Sequence, residues 1–441
     1  MTEIALAQRL ERLTARPRPP LEEASAHTRK RYRKDARLKV LGLGALLLAV
    51  GLLGLLLSSV VSTGYSAFFQ TYIKLEVTFD AAELAPDGRI DPERLARANY
   101  DGMANKALYA AFPEVEQRRE RKALRSLLSN GAGLQLRQMV LDDPSLIGTT
   151  QPVWLLADDE VDQFHKGFVD LDAAEADRRL DDTTVGWLQR LAGEDRLEAR
   201  FNDIFFLTGD SREPELAGIR GALVGSFYMM LVTFAFCVPT GIATAVYLEE
   251  FAPKNRVTDL IEVNVNNLAA VPSIVFGLLG LAVFLNTFGM PRSAPLVGGL
   301  TLGLLVLPTI VVATRAALRA VPPSIRQAAL GIGASRVQTV VHHVLPLALP
   351  GILTGAIIGM AHALGETAPL LMIGMKAFIV DVPSSPLDPA SALPVQIYLW
   401  ADSPERAFAA RTAGAIIVLL VFLILMNGIA VYLRRKFERR W

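Results

Sequence analysis

Long uncharged apolar runs alternate with charged, patterned blocks along this chain. Residues 40–61 carry no charge, and about 20 such residues match the hydrocarbon thickness of a bilayer. Five further runs, at 221–248, 264–285, 295–313, 346–373 and 412–433, are each long enough to cross. The pattern predicts six transmembrane helices.

Between the first and second runs the pattern becomes that of a soluble domain. Ile73, Leu75, Val77 and Phe79 alternate with Lys74, Glu76 and Thr78, as in a half-buried strand. Residues 92–112 and 116–128 read as helices, and 151–156 and 203–207 as further strands. Residues 62–215 thus form an α+β insert of ordinary domain size. It shows no nucleophile–base, metal or phosphate-loop pattern. Asp158-Asp159-Glu160 and Asp181-Asp182 read as solvated surface, because their spacing is not that of a Ca²⁺ loop.

Charge sets the orientation. The chain of 441 residues is 51% hydrophobic, and its net charge of +1 hides an uneven distribution. The mean hydropathy of +0.33 likewise averages over very different segments. Both ends are basic, while the insert block is acidic by roughly ten charges. Residues 1–39 form a basic tail in which Leu6, Leu10 and Leu13 fit a short amphipathic turn and Pro17, Pro19 and Pro20 break any long helix. Its run TRKRYRKDARLK suits nucleic acid or anionic lipid in isolation. Set directly before an apolar span, it reads as a positive-inside signal. Leader and core are both longer than in a signal peptide, so the first run reads as an uncleaved anchor. With the N-terminus inside, Lys254, Arg256, Arg315, Arg319, Arg326, Arg336 and the tail Arg434-Arg435-Lys436 with Arg439 and Arg440 all fall on the cytoplasmic side. Arg292 and Lys376 are among the few basic residues outside. The insert then lies across the membrane from both termini. Cys237, the lone cysteine, sits in an apolar run and reads as a buried thiol.

Residues 323–346 stand apart, as a polar-flanked helix–Gly–helix hairpin too short to span. Ser324 with Gln327 and Ser335 with Gln338 fit capping boxes, and Gly331 and Gly333 supply the turn. Val337, Val340, Val341 and Val344 fall on one face, which suits docking into a partner's groove. Within the spans, Gly351, Gly355 and Gly359 form a ridge, and Gly299 and Gly303 another, so helix backbones approach closely. Pro239, Pro272 and Pro308 interrupt their spans, and Asn264, Asn266, Asn267 and Ser273 put polar atoms at membrane depth, where helices pack or line water. His362 and Glu366 share a helix face. An intramembrane carboxylate marks a pathway or a paired site; the alternative is a span that ends early, with Glu366 at the outer interface. Arg315 is a second pathway candidate, its alternative a snorkelling positive-inside residue.

Gln327-Ala328-Ala329, Gly333 and Leu345-Pro346 resemble the EAA–G–LP loop of ABC importer permeases, the coupling helix that docks into the ATP-hydrolysing subunit. Gln327 stands where that motif usually has Glu. Gly365-Glu366-Thr367-Ala368-Pro369-Leu370 and Val271-Pro272-Ser273-Ile274-Val275-Phe276-Gly277-Leu278 resemble two segments of PstA-type phosphate importer permeases. The resemblance covers spans 2 to 6 and implies an all-α polytopic membrane protein of the ABC importer permease fold, here with an α+β periplasmic insert like the N-terminal extension of a subset of that family. It implies a phosphate transport subunit of the bacterial inner membrane rather than an enzyme. Its partners would be a cytoplasmic ABC ATPase dimer, a homologous second permease and a periplasmic phosphate-binding protein; no cofactor, metal or nucleic acid is implied. No G-x-x-x-x-G-K-[ST] loop is present, so the chain is not expected to bind and hydrolyse ATP in the usual P-loop way. Gln327, Ala328, Ala329, Gly333, Leu345 and Pro346 are the candidate coupling residues, and Arg315, His362, Glu366 and Thr367 the candidate substrate-pathway residues. Family members often carry Arg where His362 stands, and His is charged only when its pKa allows. Two rivals remain: a permease for molybdate, sulfate or phosphonate, and a membrane-tethered sensor whose outer domain binds a ligand.

Overall fold

The computed structural model describes residues 26–85, 91–175 and 178–437. The expected turn around Leu6–Leu13, its proline breakers, and Arg439 and Arg440 lie outside them. The chain divides into two compact units, Met1–Ser59 and Val60–Trp441. In the first unit, the described residues belong to helix α1 (Ala26–Gly64), which ends a few residues into the second. The helix begins upstream of the apolar run, so the basic stretch expected as tail is helical too, with Lys39 paired to Asp35 one turn back at 2.7 Å.

The second unit opens with the insert. Strand β1 (Phe69–Thr78) is central, flanked antiparallel by β2 (Thr150–Leu156) and β3 (Leu197–Phe201). Leu75 lies opposite Val153, and Ile73 opposite both Leu155 and Leu197. The predicted alternation holds. Ile73, Leu75, Val77 and Phe79 are fully buried, while Lys74, Glu76 and Thr78 face out. Helices α2 (Tyr100–Ala111) and α3 (Ala132–Asp142) supply Met103, Leu108, Leu136 and Val140 to that core. On the other face Arg200 stacks over Trp154 at 4.4 Å, shielding the sheet from water.

Two local expectations are corrected. The stretch 92–112 breaks at Asn99, whose side chain accepts from the Gly102 N–H and starts a new helix. Residues 203–207 form a helix, not a strand. Asn202 caps it through the Phe205 N–H, and a five-residue apolar run carries no period strong enough to resist a cap.

The membrane core follows. Helix α4 (Asp159–His165) and helix α5 (Asp182–Gly193) close the insert, and α6 (Asp203–Leu207) leads to α7 (Arg220–Val246), extended by a π turn at Tyr247–Phe251. Residues 264–285, expected as one span, are a broken pair. Helix α8 (Arg256–Leu268) and helix α9 (Ser273–Gly280), with a π turn to Thr287, meet at 105°. Pro272 causes the break: it cannot donate within a helix and caps α9 in extended geometry. Helix α10 (Pro295–Ala320) is the hub. The ridge glycines explain it: a Cβ on Gly355 would stand 2.3 Å from the Ala313 Cβ, and one on Gly359 2.4 Å from Val306. On the opposite side, Gly299 and Gly303 of α10 receive Val232 and Phe236 of α7 equally closely. Helices α11 (Pro323–Gly331) and α12 (Arg336–Thr339) form the hairpin. A π turn at Val340–Val344 joins α12 to α13 (Leu345–Gly365). Short α14 (Ala368–Met372), α15 (Leu393–Ala401) and α16 (Ala407–Phe437) complete the chain. Among the described residues five helices are long and apolar enough to cross a membrane, six if the bent pair is one span.

Candidate coupling hairpin and transport pathway

The hairpin and the insert occupy opposite ends of the bundle. Helix α7 starts against the insert, where the Arg220 N–H donates to the Thr208 carbonyl, and finishes beside α11. Helix α16 also starts there, with Arg411 donating to the Ala67 carbonyl at 3.3 Å and to Gln70 Oε1 at 2.5 Å.

Of the two expected capping boxes, one forms. Ser335 accepts from the Gln338 N–H, and Gln338 Oε1 accepts from the Ser335 N–H at 2.9 Å. Ser324 caps nothing, because Pro322 and Pro323 start α11 ahead of it and place Ser324 inside the first turn. Gly333 makes the turn at φ 93°, a conformation that costs residues with a Cβ about 1–2 kcal/mol. The valines divide. Val340 and Val344 pack inward, whereas Val337 and Val341 stay exposed with Leu330 and Ile332. Gln327 and Ala328 are exposed, Ala329 is buried, and Leu345-Pro346 open α13. The free apolar face of the hairpin is therefore its tip and outer side.

Arg315 is 7% exposed and twice paired. Its guanidinium meets Glu249 at 3.3 Å and Glu262 at 2.7 Å. Arg319 joins Glu249 at 2.9 Å, and Arg326 forks onto Glu250 at 2.7 and 3.1 Å. Three carboxylates face three guanidiniums, so Arg315 is paired rather than free. The partners Glu249, Glu250 and Glu262 were missed in the sequence. The signal was there: two adjacent acids ending an apolar run, with arginines ending another.

At the other end, α13 stops at Gly365, and Glu366 turns to extended backbone. His362 Nε2 and Glu366 Oε1 lie 2.9 Å apart, with His362 exposed and Glu366 and Thr367 half-buried. The early end of the span is thus realised, and so is the pairing of the two side chains. Beyond it, α14 packs on α9: a Cβ on Gly277 would stand 2.7 Å from Pro369 Cα. This joins the two motif segments read separately in the sequence.

The insert holds a second polar cluster, at its seam with α16. Asp162 is buried and accepts from the Thr71 N–H and hydroxyl at 2.9 and 2.7 Å. Lys166 donates to Asp162 and to the Ser66 and Phe69 carbonyls. Burial lowers the Lys166 pKa, and the Asp162 charge opposes that. Asp158, expected as solvated surface, is half-buried and caps α4 through the Glu160 N–H. Burial pushes its carboxyl up to about 8; the cap opposes the shift, and the charges of Asp159 and Glu215 add to it.

A glycine-packed, multi-pass bundle with an exposed helix–Gly–helix hairpin at one end is a membrane permease. Residues 237–439 match the family described as binding-protein-dependent transport system inner membrane component, and 25–175 a domain of unknown function, DUF3333. A probable ABC transporter permease protein YqgI of Bacillus subtilis is 39% identical over 168 residues, 38% of this chain; the chain spans just over half, 56%, of that relative. The phosphate transport system permease protein PstA 1 of Mycobacterium tuberculosis is 35% identical over 234 residues, 53% of this chain and 76% of that protein. Among solved structures, the inward-facing MetNI methionine ABC transporter is 20% identical, covering 49% of this chain and 97% of that one at a TM-score of 0.40. The chain belongs to the PstA-type permeases of the binding-protein-dependent transport inner membrane component family, and is a multi-pass inner membrane protein.

Proposed function

We propose that this chain is the permease subunit of an ATP-driven phosphate importer, with both termini and the hairpin in the cytoplasm and the insert in the periplasm. The observation that carries the reading is the exposed apolar hairpin tip, turned by Gly333 and set at the end of the bundle opposite the insert. Relatives named as phosphate transport permeases supply the substrate. A cytoplasmic ABC ATPase dimer grips Leu330, Ile332, Val337 and Val341, with Gln327 and Ala328 at the rim. A homologous second permease covers the outer faces of α8 and α9, where Leu260, Ile261, Ile274 and Leu278 stand exposed. A periplasmic phosphate-binding protein delivers the anion. The His362–Glu366 pair and Thr367, at the break of α13, guard the outer mouth, and Arg315 lies along the wall within its neutral cluster. ATP closure drags the hairpin, and the tightly packed α7–α10–α13 core rocks between inward- and outward-open states.

The test is Gly333→Val in the assembled complex. A Cβ at Gly333 meets nothing within 4 Å, so the whole penalty is backbone strain, about 1–2 kcal/mol confined to the hairpin. Phosphate uptake into vesicles is expected to vanish while the protein remains in the membrane. Uptake at the unmodified rate overturns the coupling reading.

A further inference from the structure

The acidic pair Glu249-Glu250 ends the first helix of the permease core, and its two members serve different partners. Glu249 turns to Arg315 and Arg319 on α10. Glu250 turns to Arg326 on the hairpin. The π turn at Tyr247–Phe251, closed by the Ala252 N–H on the Tyr247 carbonyl at 2.8 Å, holds both carboxylates at the end of α7.

The Glu250–Arg326 contact differs from the others in two ways, its fork and the carbonyls behind it. It is a fork, with Nη2 2.7 Å from Glu250 Oε1 and Nε 3.1 Å from Oε1 and 3.3 Å from Oε2. Like Arg315 and Glu249 at 9% and 19% exposure, Glu250 and Arg326 are mostly shielded, at 12% and 23%, so the pair is stronger and more directional than a surface ion pair. Arg326 is also locked from behind, donating to the Val321 and Leu318 carbonyls at 2.8 Å. The hairpin residue Arg326 is thereby tied at once to Glu250 on α7 and to the C-terminal end of α10, where Leu318 and Val321 lie. Within the cluster, the remaining pairs join α7 or α8 to α10; this one joins α7 to the hairpin.

We infer that Glu250 and Arg326 form the pin that transmits hairpin movement to α7, and that they are positioning residues for transport rather than part of the substrate pathway. The inference rests on the transport reading above. A rotation of α11 carries the fork, the fork carries the π turn, and α7 follows. The Glu249–Arg315–Glu262–Arg319 cluster beside it keeps the neighbouring helix ends charge-balanced as they shift.

The experiment uses the complete complex in phospholipid vesicles, with phosphate uptake and ATP hydrolysis measured on the same preparation. Glu250→Gln is expected to lower uptake about tenfold or more, as a fork losing its charge implies, while hydrolysis stays within about twofold. Exchanging the charges, Glu250→Arg with Arg326→Glu, is expected to recover part of the uptake. If Glu250→Gln reduces the yield of complex, Arg326→Lys replaces it, keeping the charge and losing the fork, with uptake counted per complex. Uptake unchanged in these variants, or uptake and hydrolysis falling in equal proportion, overturns the pin. An unmodified complex that hydrolyses ATP but moves no phosphate overturns the substrate reading instead, so the two failures are distinct.

Discussion

The two ends of the bundle are both held by charge, but by different kinds of bond. At the insert end the cationic groups reach main-chain carbonyls far away in sequence: Lys166 to Ser66 and Phe69, Arg411 to Ala67. Asn202 does the same, donating to the Ala67 carbonyl. At the hairpin end the guanidiniums of Arg315, Arg319 and Arg326 meet carboxylates on other helices, and the carbonyls that Arg326 also binds, at Val321 and Leu318, are near it in sequence at the end of α10. A bond to a carbonyl ties a side chain to the main chain of another segment. A pair of long side chains can keep its contact while helices tilt. In the proposed function the insert end is the fixed one and the hairpin end the one that moves. Both turns flanking the hairpin's anchors, Tyr247–Phe251 and Val340–Val344, are π, as is the turn at Leu281–Thr287 that extends α9.

The strongest way to break this contrast is Asp162→Ala. The change leaves Lys166 buried without its countercharge and removes both bonds to Thr71. Removing one partner of a buried pair costs about 3–5 kcal/mol, so the detergent-solubilised chain should unfold at a clearly lower temperature. An unchanged unfolding temperature shows that the seam is not what fixes the insert.

A moderate effect is expected from pH. Asp158 titrates at about 8 in the folded chain and near its ordinary value of about 4 when unfolded. Between those values the folded chain holds a proton that the unfolded chain has lost. This contribution to stability is therefore complete below about pH 4 and disappears as pH rises through about 8. Glu215, raised in the same direction chiefly by burial, adds to the slope. Asn also caps helices, so Asp158→Asn keeps α4 started and removes the titration. Thermal unfolding followed from pH 5 to pH 9 should decline less in the variant than in the unmodified chain. Equal slopes would mean that Asp158 is not the group responsible.

What was legible in the sequence follows the same division. Periods of two and four are local, so β1 and the Gly351-Gly355-Gly359 ridge could be read directly. So could the turn at Gly333 and the pairing of His362 with Glu366, one turn apart. The cluster around Arg315 could not, because Glu249 lies 66 positions away and no spacing rule joins two helix ends. The broken span 264–285 was hidden for another reason: its composition suits a straight helix, and Pro272 alone redirects it. Ser324 failed as a cap because a proline pair two residues earlier had already begun the helix. Asp158 was misread as solvent-facing because its acidic neighbours suggested surface, whereas it is half-buried and caps α4.

The smallest effect on stability sharpens the contrast most. Ile332 is 82% exposed at the hairpin tip and lies next to the Gly333 turn. Substitution of an exposed side chain that packs on nothing changes stability by no more than about 0.5 kcal/mol, so Ile332→Ser should unfold like the unmodified chain. In the proposed function, however, this side chain is the part of the apolar tip offered most fully to the ATPase, and a polar hydroxyl there opposes burial in the partner's groove. The ATPase recovered with the permease after mild solubilisation should therefore fall, while the second permease, held by the distant faces of α8 and α9, stays bound. Loss of both subunits together points to a general collapse of the complex. Retention of both means that docking uses another surface, and that the movable end of the bundle is not where the driving force enters.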